Sequence, residues 1–332
     1  LYVAYYGYFK KGEIMSKIKI FALGGLNENG KNMYVVNVDE NIFVFDAGLK
    51  YPSANMLGVD YIIPKFDYLK ENRKKIRGIF LTHAHDGNMG AMPDIMEEFP
   101  DVPVYATKFT MTVLKMELEK YNIEATNLKE IRPHSKLDIA GFSIFPITVT
   151  HSIPETVAFV LYTDDGAIVY ATDFVFDSAM LGAYKTDIGK LAYVGKQGVL
   201  CLMAESSYAY REGHTSPKHR ISKKVWDLLN QTDERIIISV FPEHVYRIQE
   251  IFDEVARTKR KVVIMGKKLQ NLVNYAKDFN YLHYDENLIG DLSNINDKDV
   301  VILISDDKEK SLASLEKIIS RYDKYITLKD GD

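Results

Sequence analysis

From Lys17 onward the chain alternates short apolar runs with clusters of turn-forming residues. Residues 17–23, 33–38 and 42–46 predict β-strands, with Gly24-Gly25 and Asp39-Glu40 as punctuation. Residues 78–82 (Gly-Ile-Phe-Leu-Thr) predict a short buried strand. Between Lys108 and Tyr121, Phe109, Leu114 and Leu118 recur at helical spacing. The β pattern then returns at 142–149, 157–163, 167–171 and 199–203.

Near residue 207 the rhythm changes. Helices are predicted at 217–230, 244–257, 267–277 and 309–322, with strands at 235–240, 261–265 and 299–304 between them. Such a β-α-β series argues for a parallel sheet. The polar stretch Ser206–Ser216, containing Gly213, marks the boundary. The expected organisation is a mixed α/β domain over 15–207 and a doubly wound parallel α/β domain over 208–332. Residues 1–14 carry five aromatics ahead of Met15 and read as an upstream or non-native extension.

Composition narrows the class. At 46% hydrophobic and 27% charged residues the chain is globular, which excludes disorder and fibrous repeats. A net charge of −4 argues against a wholly basic nucleic-acid binder and leaves room for a local basic groove. The single cysteine, Cys201, excludes a disulfide framework and a Cys-rich zinc site, and its apolar neighbours predict a buried small hydrophobe. No apolar run approaches the ~18 residues of a membrane span, so no membrane partner is expected. No signal peptide is visible, and a cytoplasmic protein is expected.

Two segments invite a chemical reading. Gly25-Leu-Asn-Glu-Asn-Gly-Lys31-Asn32 approaches a phosphate-binding loop, but such a loop must open a helix, and Met33–Val38 has the pattern of a strand. Thr82-His83-Ala84-His85-Asp86 follows an apolar strand and sets two imidazoles at i, i+2. Alone, an unrelated histidine pair explains it equally well. Val149-Thr150-His151 ends a second apolar run and Ala171-Thr172-Asp173 a third, so three strand ends offer His83, His85, His151 and Asp173. Three imidazoles and a carboxylate suit a borderline divalent ion, zinc or manganese. His134, His219 and His283 lie in polar surroundings and read as solvated, His214 sits in the boundary stretch, and His244 starts a helix where an anion can bind.

With these segments in place the chain resembles the ribonuclease J family, metallo-β-lactamase proteins with a β-CASP domain. The resemblance rests on Leu23-Gly-Gly25 with Gly30-Lys-Asn32, Asp46-Ala-Gly48, Leu57-Gly-Val-Asp60, Ile79-Phe-Leu-Thr-His83, Thr150-His-Ser-Ile-Pro-Glu155, Asp173-Phe174, and Phe241 with Val245-Tyr-Arg-Ile-Gln249, and covers roughly 17–332. It implies an αββα sandwich with a two-metal centre, followed by the β-CASP domain. It also implies 5′-exonucleolytic and endonucleolytic cleavage of RNA, with two cations stabilising the attacking and leaving oxygens. Asp173 and Glu205 become the candidate catalytic carboxylates, Glu205 standing at the family's first acidic β-CASP position.

The departures shape the expectation. The family signature His-x-His-x-Asp-His reads His83-Ala-His85-Asp86-Gly87-Asn88, so Gly87 and Asn88 replace the two ligands peculiar to the second ion. Asp86 lies in a different register. One divalent ion held by His83, His85, His151 and Asp173 is expected, and the second site is expected to be lost. A family Ser-Asn pair is Glu243-His244, and the Gly-rich phosphate loop aligns with Ser305–Ser311, which lacks glycine and carries two aspartates. The chain stops near the point where the family returns to its first domain. This pattern resembles the family's weakly active second paralogue. The expected protein is a catalytically impaired RNA-binding or assembly subunit, forming a homo- or hetero-oligomer with an intact paralogue, with His244, Arg247, Lys267 and Lys268 facing RNA. The alternative is an active ribonuclease working with one ion.

Overall fold

Valine, isoleucine and phenylalanine dominate the short runs, and branched and aromatic side chains favour extended backbone. The computed structural model describes residues 16–332 apart from 54, 178, 179, 181, 208, 214–219, 306–312, 330 and 332. The extension at 1–14, His214, His219 and all of Ser305–Ser311 except Ser305 lie outside the described residues. The chain divides into two compact units: Leu1–His151 with Glu155–Glu212, and Ser152–Pro154 with Gly213–Asp332.

The first unit is a sandwich. β1 (Ile18–Gly24), β2 (Met33–Val38) and β3 (Asn41–Phe45) form an antiparallel meander. After α1 (Asp67–Glu71), β4 (Ile76–Phe80) runs parallel to β3. Next come α2 (Asp86–Met89), α3 (Met92–Glu98), β5 (Val104–Thr107), α4 (Lys108–Lys120) and β6 (Leu128–Ile131), closing a sheet in simple sequence order. β7 (Leu137–Ile139), β8 (Phe142–Thr148), β9 (Val157–Thr163), β10 (Gly166–Ala171), α5 (Ile188–Gln197) and β11 (Val199–Ala204) build the second sheet in the order β11-β10-β9-β8-β7.

Phe43, Phe45 and Phe80 of the first sheet and Ile144, Phe159, Leu161 and Ile168 of the second share one buried core. Phe159 meets Phe80 edge-on with ring centroids 5.6 Å apart, and Phe80 stacks on Tyr105 at 4.9 Å. On the far face of the second sheet, Val194 and Leu191 of α5 pack on Ile147, Val160 and Val169. On the far side of the first sheet, α4 buries Phe109, Leu114 and Leu118. The result is the helix–sheet–sheet–helix layering that the resemblance implies.

The second unit contains α6 (Ser222–Gln231), β12 (Ile236–Val240), α7 (Val245–Ala256), β13 (Lys261–Met265), α8 (Lys267–Asp278), β14 (Val300–Ser305) and α9 (Ala313–Ile319). Its sheet has the order β12-β14-β13, and both pairings are parallel. Val300–Ile304 are buried throughout, as a central strand covered on both faces requires.

Some elements differ from the pattern. α9 stops at Ile319 instead of 322, because Arg321 turns left-handed at φ 61 and the amide of Tyr322 returns to the carbonyl of Lys317. Cys201 is half-buried, since β11 is the outermost strand of its sheet and exposes Leu202 to 62%. His134 is half-buried as well. Its Nε2 lies 3.2 Å from Thr148 Oγ1, and burial lowers its pKa from the ordinary value. His283 is exposed as expected.

Candidate metal centre

Strand direction decides which ends share a rim. β3 and β4 run parallel. β8 and β10 are both antiparallel to β9, and β11 is parallel to β10, so β8, β10 and β11 end on the same edge. His83 and His85 follow β4, His151 follows β8, Asp173 follows β10 and Glu205 follows β11. Asp46 follows β3.

The three imidazoles converge. His83 Nε2 lies 3.0 Å from His85 Nδ1, and His151 Nε2 lies 3.1 Å from the same atom. Their rings stand nearly perpendicular, at 76° to 88°. One ligand nitrogen from each falls within 4.8 Å of the others, making this the histidine cluster suited to a metal among the described residues. Asp173 reaches it from the side, with Oδ2 3.5 Å from His83 Nε2.

Proton accounting favours a cation here. A ring nitrogen carries one hydrogen or one lone pair, so His85 Nδ1 cannot form full hydrogen bonds with both neighbours. Three lone pairs aimed at a shared ion satisfy all three rings. A tetrahedral zinc site places ligand nitrogens about 3.3 Å apart at its ~2.05 Å metal–nitrogen distance, close to the 3.0 and 3.1 Å that separate His85 Nδ1 from His83 and His151.

The backbone around the cluster is tied down. His85 caps α2 with extended φ/ψ (−81°, 146°), and the amides of Asn88 and Met89 return to its carbonyl. Thr150, buried beside His151, donates its amide to Thr186 Oγ1 and its hydroxyl to the Tyr184 carbonyl. Residues 47–49 zip against 86–88: Ala47 N donates to the Asn88 carbonyl at 2.7 Å and Leu49 N to the Asp86 carbonyl at 2.8 Å.

The same packing shows what became of the altered motif positions. Gly87 faces Gly30, and a Cβ at 87 would lie 3.2 Å from Gly30 Cα. Asn88 is buried and spends its amide nitrogen on Asp46 Oδ2 at 2.8 Å and Thr172 Oγ1 at 3.2 Å. Asp86 accepts the Tyr51 hydroxyl at 2.6 Å. None of the three belongs to the cluster of converging ligand atoms.

Sequence reasoning did not assign a role to Asp46. Its carboxylate is fully buried and receives Thr82 N, Thr82 Oγ1, Asn88 Nδ2 and Tyr170 OH. Burial pushes it up to about 7, against the pull of those four donors. Thr82 Oγ1 in turn lies 3.0 Å from His83 Nδ1. The available signal was an acidic residue at the end of a strand with no solvent-facing reason to be there. Burial, and then the neighbouring Glu205 carboxylate, raise Asp173 to about 6. A pocket of about 650 Å³ opens beside these carboxylates, lined by the 25–30 loop, Tyr34, Asp173 and Glu205. That loop leads into β2, so it is not a helix-opening phosphate loop.

In the second unit, His244 sits at the N-terminus of α7 with its ring 5.1 Å from that of Phe241. Burial, and then Arg247, push it down to about 4. Arg247 Nη1 lies 3.6 Å from Glu250 Oε2. Lys267 and Lys268 open α8 behind Gly266, whose φ is 102°. Lys267 is exposed, whereas Lys268 is paired with Glu243 at 2.8 Å.

Comparison with known proteins agrees with this architecture. Residues 43–191 match the β-lactamase superfamily domain, and residues 233–332 match the ribonuclease J β-CASP domain. The chain is 35% identical to ribonuclease J2 of Bacillus subtilis (strain 168) over 95% of its own length and 57% of the relative's. It is 34% identical to ribonuclease J 2 of Streptococcus pyogenes serotype M3 over 96% of its length and 58% of the relative's. It thus spans a little over half of these relatives. A crystal structure titled as a protein of unknown function from Enterococcus faecalis V583 shares the fold, with a TM-score of 0.64 at 16% identity over 88% of this chain and 78% of that one.

Proposed function

Because the chain belongs to the ribonuclease J family, we propose that it is an RNA-binding member holding one divalent cation, impaired in catalysis, and working in the cytoplasm as an RNA-binding or assembly subunit beside an intact paralogue. The observation that carries this reading is the contrast within one loop. His83 and His85 converge with His151, while Asn88 commits its amide to Asp46 and Thr172 and Gly87 offers no side chain.

His83, His85 and His151 would hold the ion, zinc or manganese, and Asp173 would complete its shell. Bound there, a divalent cation supplies Lewis-acid polarisation of a phosphoryl oxygen. The protein's own groups do the rest. Asp173 and Glu205 both line the pocket, and burial, then the neighbouring Glu205 carboxylate, raises the Asp173 carboxyl to about 6 in the metal-free protein. Lys267, exposed at the start of α8, would meet an RNA phosphate together with His244, Arg247 and Lys268. The ion pair of Lys268 with Glu243 reduces the positive charge available there.

The pocket beside Asp173 and Glu205 favours a second reading, residual hydrolysis with one ion. Losing leaving-group stabilisation worth several kcal/mol slows cleavage by orders of magnitude, at tenfold per ~1.36 kcal/mol. Manganese-dependent degradation of a 5′-monophosphorylated RNA, with His83→Ala as control, separates the two. The proposal expects no degradation above the control. RNA loss that disappears in His83→Ala would make the protein a one-ion ribonuclease.

A further inference from the structure

The altered motif position has a use of its own. Asn88 stands where the family signature has its last histidine, and its side chain is buried 2.8 Å from Asp46 Oδ2. An amide nitrogen can donate and cannot accept. Tyr170 OH reaches the same oxygen at 2.9 Å, and the amide of Thr82 reaches the other at 2.8 Å. Asn88, Tyr170 and Thr82 thus all donate to Asp46, and the ionised carboxylate they surround is a pure acceptor.

That arrangement fixes the direction of the next hydrogen bond. Thr82 Oγ1 lies 2.9 Å from both oxygens of Asp46 and 3.0 Å from His83 Nδ1. A hydroxyl has one hydrogen. If it goes to Asp46, the contact with His83 requires a hydrogen on Nδ1, and Nε2 keeps its lone pair. Nε2 is the atom that faces His85 and Asp173. The reverse order, with Thr82 donating to His83, would put the hydrogen on Nε2 and disable it as a ligand.

We propose that Asn88 is a positioning residue: acting through Asp46 and Thr82, it fixes His83 as the Nδ1–H tautomer and leaves Nε2 bare to ligate a divalent cation. This inference rests on the reading of the three-histidine cluster as a cation site. The position that lost its ligand supports a remaining one instead. The outer partners of metal-bound histidines commonly matter at this level, by roughly 10–100-fold in affinity.

Two measurements test it at pH 8 on the full chain. The first is the ring-nitrogen NMR spectrum of the metal-free protein carrying ¹⁵N-histidine, with His83 assigned by its loss in His83→Gln. The second is zinc affinity by competition with a chelating dye. In the parent, His83 should carry its hydrogen on Nδ1. Asn88→Leu and Thr82→Val should lose that preference and bind zinc about tenfold or more weakly, whereas Thr82→Ser should stay within about threefold of the parent. Tyr170→Phe, which removes one donor without changing the packing, should shift both readouts in the same direction and covers the case in which Asn88→Leu does not fold. A parent His83 with its hydrogen on Nε2 overturns the proposal, as do Asn88→Leu, Thr82→Val and Tyr170→Phe variants with unchanged spectra and affinities. If the parent takes up no zinc, the cation reading fails separately, and the metal-free spectra still decide the hydrogen-bond relay.

Discussion

Glycine 48 shows how tightly single residues define the centre. Its amide donates to the Asn32 carbonyl at 2.8 Å, and a Cβ at this position would fall 1.7 Å from the carbonyl oxygen of Gly87. No rotamer relieves that clash, because both partners are backbone. Gly48→Ala should destabilise the first unit by about 3 kcal/mol or more, the upper range for forced overpacking; a thermal melt within 2 °C of the parent would contradict this. Asn88 illustrates the converse. Its identity is visible in the sequence as a missing imidazole, but its hydrogen bonds to Asp46 and Thr172 come from strands ending at 45 and 171, and no local pattern reports that meeting. Histidines 83, 85 and 151 were legible because each ends an apolar run. Asp46 ends one too, and only burial shows that its role is internal.

At the scale of elements, the legible parts were the long and periodic ones. β2, β9 and β13 have the bounds that alternation predicts, and α4, α7 and α8 lie within one residue of theirs. The short pieces were not: α2 has four residues, β7 three and β5 four, too few for a period to show. α5 was hidden by Gly189 and Gly195, which weaken its helical signal and are tolerated because Val194 and Leu191 pack on the sheet. α7 carries a prediction of its own. His244 at its N-terminus is held near 4, below its ordinary 6.5, by burial and by Arg247. A depressed histidine contributes stability that is complete above 6.5 and lost as pH falls toward 4, because the unfolded chain takes up the proton first. Denaturant midpoints of the parent should therefore fall between pH 7 and pH 5 by more than those of His244→Gln. Equal pH slopes for the two proteins would place the imidazole in solvent.

For the molecule as a whole, separate strand ends deliver one site, and this explains why its chemistry could be read before its geometry. His83, His85, His151 and Asp173 are scattered over some ninety positions, yet β4, β8 and β10 bring them to one rim. The sandwich supplies the rigidity: Phe80, Ile147 and Ala158 are fully buried just behind the ligands. The second unit adds a parallel sheet whose strand ends carry Phe241–His244 and Gly266–Lys268, with charge partly cancelled between Glu243 and Lys268. The central claim is a single cation on three histidines, where the ribonuclease J signature that the sequence resembles provides for two. The most direct test is the metal content of the zinc- or manganese-loaded chain by elemental mass spectrometry, with His151→Ala alongside. One ion per chain in the parent and a loss of most of it in His151→Ala is the predicted result. Two ions per chain, or an unchanged count in the variant, would contradict it.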